Sequence, residues 1–255
     1  EVLEDKIDPY QISLRKTLAK ENGWDIVYAF HDDRAVVAKG ADFFYVDKNG
    51  REVSTKRYDI ALNFSDGVAA VAEDNKWLYI DKNGNELPHS MLYDKAGNYH
   101  DGLAGVGVSR LFFYVDKGGY ELNEESYDQA NDFSEGMASV RKGDEWFFID
   151  ERGNKLSSET YEFAENFSEG LAVVEKQGEF FYIDINEHKL SSQWYDEAGS
   201  FSDGLAAVQK DDKSFYIDKE GNEQFSEKYD FVNSFSEGLA SVEKNNKYYF
   251  IDTKG

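Results

Sequence analysis

The sequence predicts an all-β protein built from seven tandem copies of a unit of about 34 residues. Three short motifs recur in constant register, each copy is rich in aromatic and β-branched residues, and glycine-containing turns separate the apolar runs. This combination is typical of small antiparallel sheets arranged in an array. We expect a closed, propeller-like array of β-meanders. The alternative is an open β-solenoid or spiral, in which each unit contacts only its neighbours.

The motifs set the boundaries of the copies. An Ile-Asp or Val-Asp dipeptide recurs in steps of 34 or 35 residues, and its aspartates are Asp47, Asp81, Asp116, Asp150, Asp184, Asp218 and Asp252. A Phe-Ser-Asp/Glu-Gly motif and a Tyr-Asp motif six residues before it accompany the dipeptide; the first copy of the glycine motif has decayed. The predicted repeats are 24–57, 58–92, 93–126, 127–160, 161–194, 195–228 and 229–255.

One repeat reads as a meander of three or four strands. In repeat six, residues 204–208 and 214–217 are predicted strands, and residues 223–225 begin a short third one. Residues 229–235 form either a fourth strand or a shaped connection. A single meander of this kind cannot bury its apolar face alone, so neighbouring repeats must cover it.

Residues 1–23 precede the repeats and are predicted to be an N-terminal cap or closing segment. Asp8-Pro9 can open a helix carrying Ile12, Leu14 and Leu18, which Gly23 would end. Alternatively, residues 16–20 align with the third strand of a repeat. Because the seventh copy stops before its own third strand, that strand would complete it and close a ring.

The repeated core resembles a known family. The segments 76–81 (Lys-Trp-Leu-Tyr-Ile-Asp) and 145–150 (Glu-Trp-Phe-Phe-Ile-Asp), each following a Phe-Ser-x-Gly motif, are similar to the bacterial WG repeat, whose usual core is Lys-Trp-Gly-Tyr-Ile-Asp. Here Phe, Leu or Tyr replaces the family's glycine in every copy, so this is a divergent set. The resemblance covers residues 24–255. It implies a binding role and offers no catalytic residues to carry over.

Composition narrows the classes of partner. The formal net charge of -23 repels nucleic acid and anionic lipid and favours a soluble monomer or a basic partner. No apolar run is long enough to span a membrane, and the lack of cysteine excludes disulfides and thiolate metal sites. The location expected is extracytoplasmic or at a bacterial cell surface, although no leader is visible.

The most regular polar positions have both a functional and a structural interpretation. One acidic residue precedes the glycine in six copies, and an array would align these as an acidic ring that could receive a basic partner: Asp66, Asp101, Glu135, Glu169, Asp203 and Glu237. They can equally be solvated turn residues. The Ile-Asp carboxylates resemble parts of a calcium loop, but turn-shaping bonds to backbone N–H groups are the favoured interpretation. We therefore predict no metal, cofactor or catalytic residue.

An aromatic position recurs as a ladder through the copies: Phe43, Trp77, Phe112, Trp146 and Phe180. Ser214 interrupts it in repeat six, so that repeat is predicted to be underpacked if the ladder belongs to the core.

For function, the sequence favours a non-catalytic binding or scaffold module that recognises protein, peptide or glycan through its repeat loops. The alternative is a hydrolase or lyase in a central channel. Such a site would have to use the irregular copies, at His31, Asp33 and His100. No phosphate loop or nucleophile elbow is present in the sequence.

Overall fold

The computed structural model describes residues 9–255, which form one α-helix and 22 β-strands. The chain divides into two compact units. Unit 1 ends at Asp132, and unit 2 comprises Phe133–Gly255. The strands are gathered into seven small antiparallel sheets. The all-β prediction and the seven-fold repeat are therefore confirmed.

Unit 1 contains the helix and the first three sheets. Helix α1 spans Pro9–Asn22. The strands are β1 (Ile26–His31), β2 (Arg34–Lys39) and β3 (Asp42–Asp47) in repeat one; β4 (Ile60–Ala61), β5 (Val68–Glu73) and β6 (Lys76–Asp81) in repeat two; and β7 (Lys95–Ala96), β8 (Leu103–Val108) and β9 (Leu111–Asp116) in repeat three. Strand β10 (Gln129–Ala130) follows them.

Unit 2 continues the same pattern. Its strands are β11 (Met137–Lys142) and β12 (Glu145–Asp150); β13 (Phe163–Ala164), β14 (Leu171–Lys176) and β15 (Glu179–Asp184); β16 (Glu197–Ala198), β17 (Leu205–Lys210), β18 (Lys213–Asp218) and β19 (Glu223–Tyr229); and β20 (Phe231–Val232), β21 (Leu239–Lys244) and β22 (Lys247–Asp252).

The centre of each repeat is a six-on-six antiparallel hairpin. In repeat two, β5 pairs with β6 from Val68 opposite Asp81 to Glu73 opposite Lys76. The connecting residues Asp74 and Asn75 both have positive φ, which is the backbone of the tight two-residue turns that match strand twist. The small residues of β5 are almost completely buried, so sheets can approach closely over this strand.

In repeats one to five the last part of the repeat forms a fourth, irregular strand. It is held by single bridges such as Trp77 to Tyr93 and Ile80 to Glu86. In repeat six it becomes the continuous strand β19, so that sheet has four strands. The stretch 229–235 proves to be a connection that contains the short strand opening the next sheet.

The N-terminal helix confirms one of the two interpretations of residues 1–23. Residues 16–20 are helical, so the alternative in which they add a strand to the seventh repeat is wrong. Leu18 is buried with Val27, Val37 and Phe44 of repeat one, which gives the helix an apolar surface to cover. Asp8, the expected start of the helix, lies outside the described residues.

Neighbouring sheets within each unit pack through aromatic rings. Tyr182 of repeat five contacts Phe201 of repeat six edge-on, with ring centroids 4.9 Å apart. Tyr45 and Phe64 in unit 1 repeat this contact at 4.9 Å. The phenylalanine or tyrosine that begins each glycine motif therefore belongs to the core, and the motif's turn lies directly beside it.

Candidate functional site

The Ile-Asp carboxylates shape the turn that follows each hairpin. In repeat two, Oδ1 of Asp81 accepts the backbone N–H groups of Asn83 and Asn85 at 2.8 and 2.9 Å. Partial burial raises the pKa of this carboxyl, but these N–H donors more than offset the rise and hold it below its ordinary value. The equivalent aspartates from Asp47 to Asp218 make the same bonds. The turn interpretation is confirmed.

The Tyr-Asp carboxylates hold the tight turn inside the hairpin of the same repeat. Asp59 accepts the N–H of Asp74 at 2.8 Å, and Asp196 accepts the N–H of Asp211 at 2.8 Å. Both donors are turn residues with positive φ. An acceptor at this place satisfies a backbone group that the hairpin ladder leaves unpaired.

Two repeated hydroxyl groups connect one repeat to the next. The motif serines donate to a backbone carbonyl of the following copy, as Ser168 Oγ does to the Phe201 oxygen at 2.8 Å. The buried tyrosines do the same, as Tyr182 does to the Gly199 oxygen at 2.7 Å. Burial raises the pKa of the Tyr182 hydroxyl well above its ordinary value. These hydroxyls therefore serve as neutral structural donors.

The predicted acidic ring consists of residues that all have positive φ. Carboxylates of this set accept the glycine N–H of the next copy: Asp66 from Gly102 at 2.8 Å, Glu135 from Gly170 at 2.9 Å, Glu169 from Gly204 at 3.1 Å and Asp203 from Gly238 at 2.6 Å. Asp66 and Glu169 also pair with Lys117 and Lys219. These carboxylates clasp adjacent repeats together, and a role in receiving a basic partner stays a prediction.

A pocket of about 250 Å³ lies in unit 2, between the sheets of repeats six and seven. Gly199, Ala207, Ser214 and Ser234 leave room between the sheets because their side chains are small or absent. Ser214 is 4% exposed and stands where the aromatic ladder has a ring in other copies. A pocket thus lies beside the residue that interrupts the ladder, in line with the underpacking predicted for this repeat if the ladder belongs to the core.

Three polar side chains cross the sheet of repeat six at this pocket. In the strand register, Glu197 of β16 lies opposite Gln209 of β17, and Gln209 lies opposite Ser214 of β18. The three side chains are therefore neighbours on one face of the sheet. Phe231 of β20, which is 49% exposed, also lines the pocket. The site combines an apolar wall, a buried hydroxyl, an amide and a carboxylate.

Comparisons with known proteins place this architecture in a family. A family profile described as WG containing repeat matches residues 43–77, 126–146, 146–180, 195–213 and 215–248, which together cover more than half of the chain. The chain belongs to the WG-repeat family. A comparison with curated proteins gave no significant match.

Two solved structures are similar to the WG-repeat chain in fold. Kluyveromyces lactis Hsv2 with its loop 6CD replaced by a Gly-Ser linker has 9% sequence identity and a TM-score of 0.50, covering 84% of this chain and 87% of that one. A eukaryotic initiation factor has 13% identity and a TM-score of 0.53, covering 87% and 73%. The likeness shows a propeller-like fold and nothing about activity. Closure into a ring rather than a spiral stays a prediction.

The residues of the alternative catalytic hypothesis have separate surroundings in the WG-repeat chain. His100 lies 3.8 Å from the Asp132 carboxylate, whereas Asp33 pairs with Lys48. Burial raises the pKa of Asp132, and His100 partly offsets that rise. Within residues 9–255, no three His, Cys, Asp or Glu side chains are grouped closely enough to hold a metal ion, and no helix has the length and apolarity to cross a membrane.

Sequence reasoning found Ser214 but missed Glu197, Gln209 and Phe231. They stand out when the residues at three neighbouring cross-strand positions are compared from repeat to repeat. Repeat two has Ile60, Ala72 and Trp77 there, and repeat five has Phe163, Glu175 and Phe180. Among the repeats, only repeat six has polar residues at all three positions. The sequence does not show that these positions are neighbours, because this depends on the strand register.

Proposed function

We propose that this WG-repeat chain is a non-catalytic binding or scaffold module, and that the pocket between repeats six and seven is its ligand site. The preferred ligands are a protein, a peptide or a glycan. The fold and the family are consistent with such a role. The observation that carries the proposal is the interruption of the aromatic ladder at Ser214, which opens a pocket where a core ring would otherwise lie.

Two further features support the choice of this site. The carboxylates and hydroxyls that recur in the other motifs already hold turns or neighbouring repeats, so they leave few groups for a ligand. By contrast, Ser214 Oγ donates to the Asp230 carbonyl oxygen at 3.5 Å, which is the outer limit of a hydrogen bond. A buried hydroxyl with so weak a bond gains from a ligand's polar group.

The test fills the pocket. The protein and its Ser214→Trp variant are applied in parallel to peptide and glycan arrays, and each ligand found is then titrated by calorimetry. We expect at least one ligand whose affinity falls about tenfold or more in Ser214→Trp, because a side chain now occupies its place. Phe180→Trp is the matched control, since it enlarges a ring at the same ladder position outside the pocket.

Two outcomes would contradict the proposal. In the first, no ligand binds the native protein on either array. In the second, ligands bind but lose the same affinity in Ser214→Trp and Phe180→Trp, which would place binding elsewhere. Circular dichroism of both variants checks that their sheets are intact.

A further inference from the structure

The shape of the pocket follows from what fills the same place in another copy. In repeat four, Trp146 occupies the ladder position and is 7% exposed. Its ring contacts Phe163 of repeat five edge-on, with centroids 5.9 Å apart and an interplanar angle of 61°. Ser214 and Phe231 are the equivalents of Trp146 and Phe163 in repeats six and seven. The missing group between them is therefore an aromatic ring.

Phe231 can be compared with Phe163, which occupies the equivalent position in repeat five. Phe163 has two aromatic neighbours, Trp146 at 5.9 Å and Phe180 at 6.1 Å, and is only partly exposed. Phe231 has no ring from repeat six beside it and is 49% exposed. A planar aromatic group in the pocket would meet Phe231 in the edge-to-face arrangement that aromatic pairs prefer.

The polar side of the pocket sets the charge of the ligand. Of the eleven described residues that line it, Glu197 alone has a charged side chain. The nearby lysines are engaged elsewhere: Lys213 pairs with Asp230 at 3.2 Å, and Lys210 lies over the ring of Trp194 at 4.3 Å. With a net charge of -23 on the whole chain, the field at the pocket favours a cation or a hydrogen-bond donor and disfavours an anion.

We infer that the pocket receives a planar aromatic ring, of phenyl to indole size, that has a positively charged or hydrogen-bond-donating substituent. The ring takes the place of the missing ladder side chain against Phe231. The substituent points along the row of Ser214, Gln209 and Glu197. This inference rests on the proposed function, because it names the ligand class of the same pocket. Two kinds of molecule supply such a ring and substituent: a small aromatic amine, or a peptide in which a basic residue lies next to an aromatic one.

The experiment titrates the native protein with five compounds by calorimetry: tryptamine, indole, indole-3-acetate, cyclohexylamine and an end-blocked Lys-Trp dipeptide. We expect tryptamine to bind about tenfold more tightly than indole, because tryptamine adds a positive charge to the indole ring. Indole should bind more tightly than indole-3-acetate, because the acetate adds a negative charge. Cyclohexylamine has the charge without the planar ring and should bind most weakly of the cations. Tighter binding of the dipeptide than of tryptamine identifies a peptide as the source, and the reverse identifies a small amine.

Two variants and one control separate the parts of the inference. Glu197→Gln should reduce the preference for tryptamine over indole to about twofold while leaving the affinity for indole unchanged. Ser214→Trp should abolish binding of every aromatic compound, and Phe180→Trp should bind them as the native protein does. Equal affinity for cyclohexylamine and tryptamine, or tighter binding of indole-3-acetate than of indole, overturns the inference.

The arrays and the titration fail in distinguishable ways. If an array ligand binds in a manner that depends on Ser214 but tryptamine neither binds nor competes with it, the aromatic ligand class is wrong and the proposed function stands. If neither experiment shows binding that depends on Ser214, both are overturned.

Discussion

A single carboxylate in this chain accepts several hydrogen bonds from the turn that follows it. Asp81 caps two N–H groups of the turn that follows it, and its second oxygen accepts the side-chain amide of Asn85 at 3.1 Å. The ionised form is the one that makes these bonds well. This explains why the pKa of the Asp81 carboxyl lies below its ordinary value despite partial burial.

The lowered pKa values predict an acid-dependent loss of stability. Asp47, Asp81, Asp150, Asp184 and Asp218 all have carboxyls whose pKa is below the ordinary value. A lowered pKa in the folded state contributes stability above the unfolded pKa of about 3.9, and that contribution is lost as pH falls through the folded value. Urea unfolding should therefore show constant stability between about pH 5 and 7 and a steep fall below about pH 4.

Asp81→Asn tests this assignment. At pH 7 the variant should be destabilised by about 0.5–1.5 kcal/mol, because a neutral amide oxygen is a weaker acceptor. As the pH falls below the lowered pKa of the Asp81 carboxyl, native protein and variant should approach equal stability, since the native carboxyl becomes protonated in both states. Glu220→Gln, in the equivalent turn of repeat six, is the control. A penalty for Asp81→Asn that stays constant at all pH values would show that charge is not the cause.

At the scale of the secondary-structure elements, the sequence predicts the hairpins and turns because they are encoded locally. Asp81 lies between a β-branched strand and a glycine turn, so its bonding partners are within four residues. Glu169 differs, because its partner Gly204 lies 35 residues away in the next sheet. The glycine motif therefore revealed a turn but not the clasp. Only the packing of one sheet on another brings that acid to that N–H group.

The same limit explains what was missed at the pocket. Ser214 is visible in the sequence as an irregularity at one position of the repeat. Glu197 and Gln209 join it only through strand register, which depends on pairing across three strands. Helix α1 can be predicted from the sequence because its start and end signals, a proline at the start and Gly23 after the end, are local.

Two exchanges between repeats test whether the ladder position controls packing. Trp146→Ser in repeat four should cost about 3–5 kcal/mol of unfolding free energy, because it removes a buried ring and leaves a cavity. Ser214→Phe in repeat six should raise that free energy by about 0.5–2 kcal/mol, because it fills a pocket that already exists. Urea unfolding of the two variants measures both.

The decisive result is that Trp146→Ser lowers the free energy of unfolding and Ser214→Phe raises it. Phe180→Tyr, a change at the same position with little change in volume, is the control and should alter stability by less than about 1.5 kcal/mol. Destabilisation by both exchanges would mean that the walls of the repeat-six pocket cannot accept a ring, which would also weaken the inferred ligand class.

On the scale of the whole molecule, the large net negative charge does not stabilise the fold. The formal net charge is -23, and the surface ion pairs join exposed side chains, as in Lys176 with Glu159 at 2.9 Å. Exposed pairs contribute little, since water and salt screen them. Repulsion among the excess carboxylates therefore opposes folding, and it is screened over about 10 Å at 0.1 M salt.

This balance predicts that salt stabilises the protein. Raising sodium chloride from 20 to 300 mM at pH 7 should increase the free energy of unfolding by about 1 kcal/mol, which for a chain of this size corresponds to about 2–4 °C in Tm. Differential scanning calorimetry measures the change, and potassium chloride should reproduce it because screening depends on ionic strength. The same salt increase should weaken binding of a cationic ligand such as tryptamine while leaving binding of indole unchanged. A Tm that falls with salt would mean that the ion pairs outweigh the repulsion, and the excess negative charge could then no longer be held to favour a cationic partner.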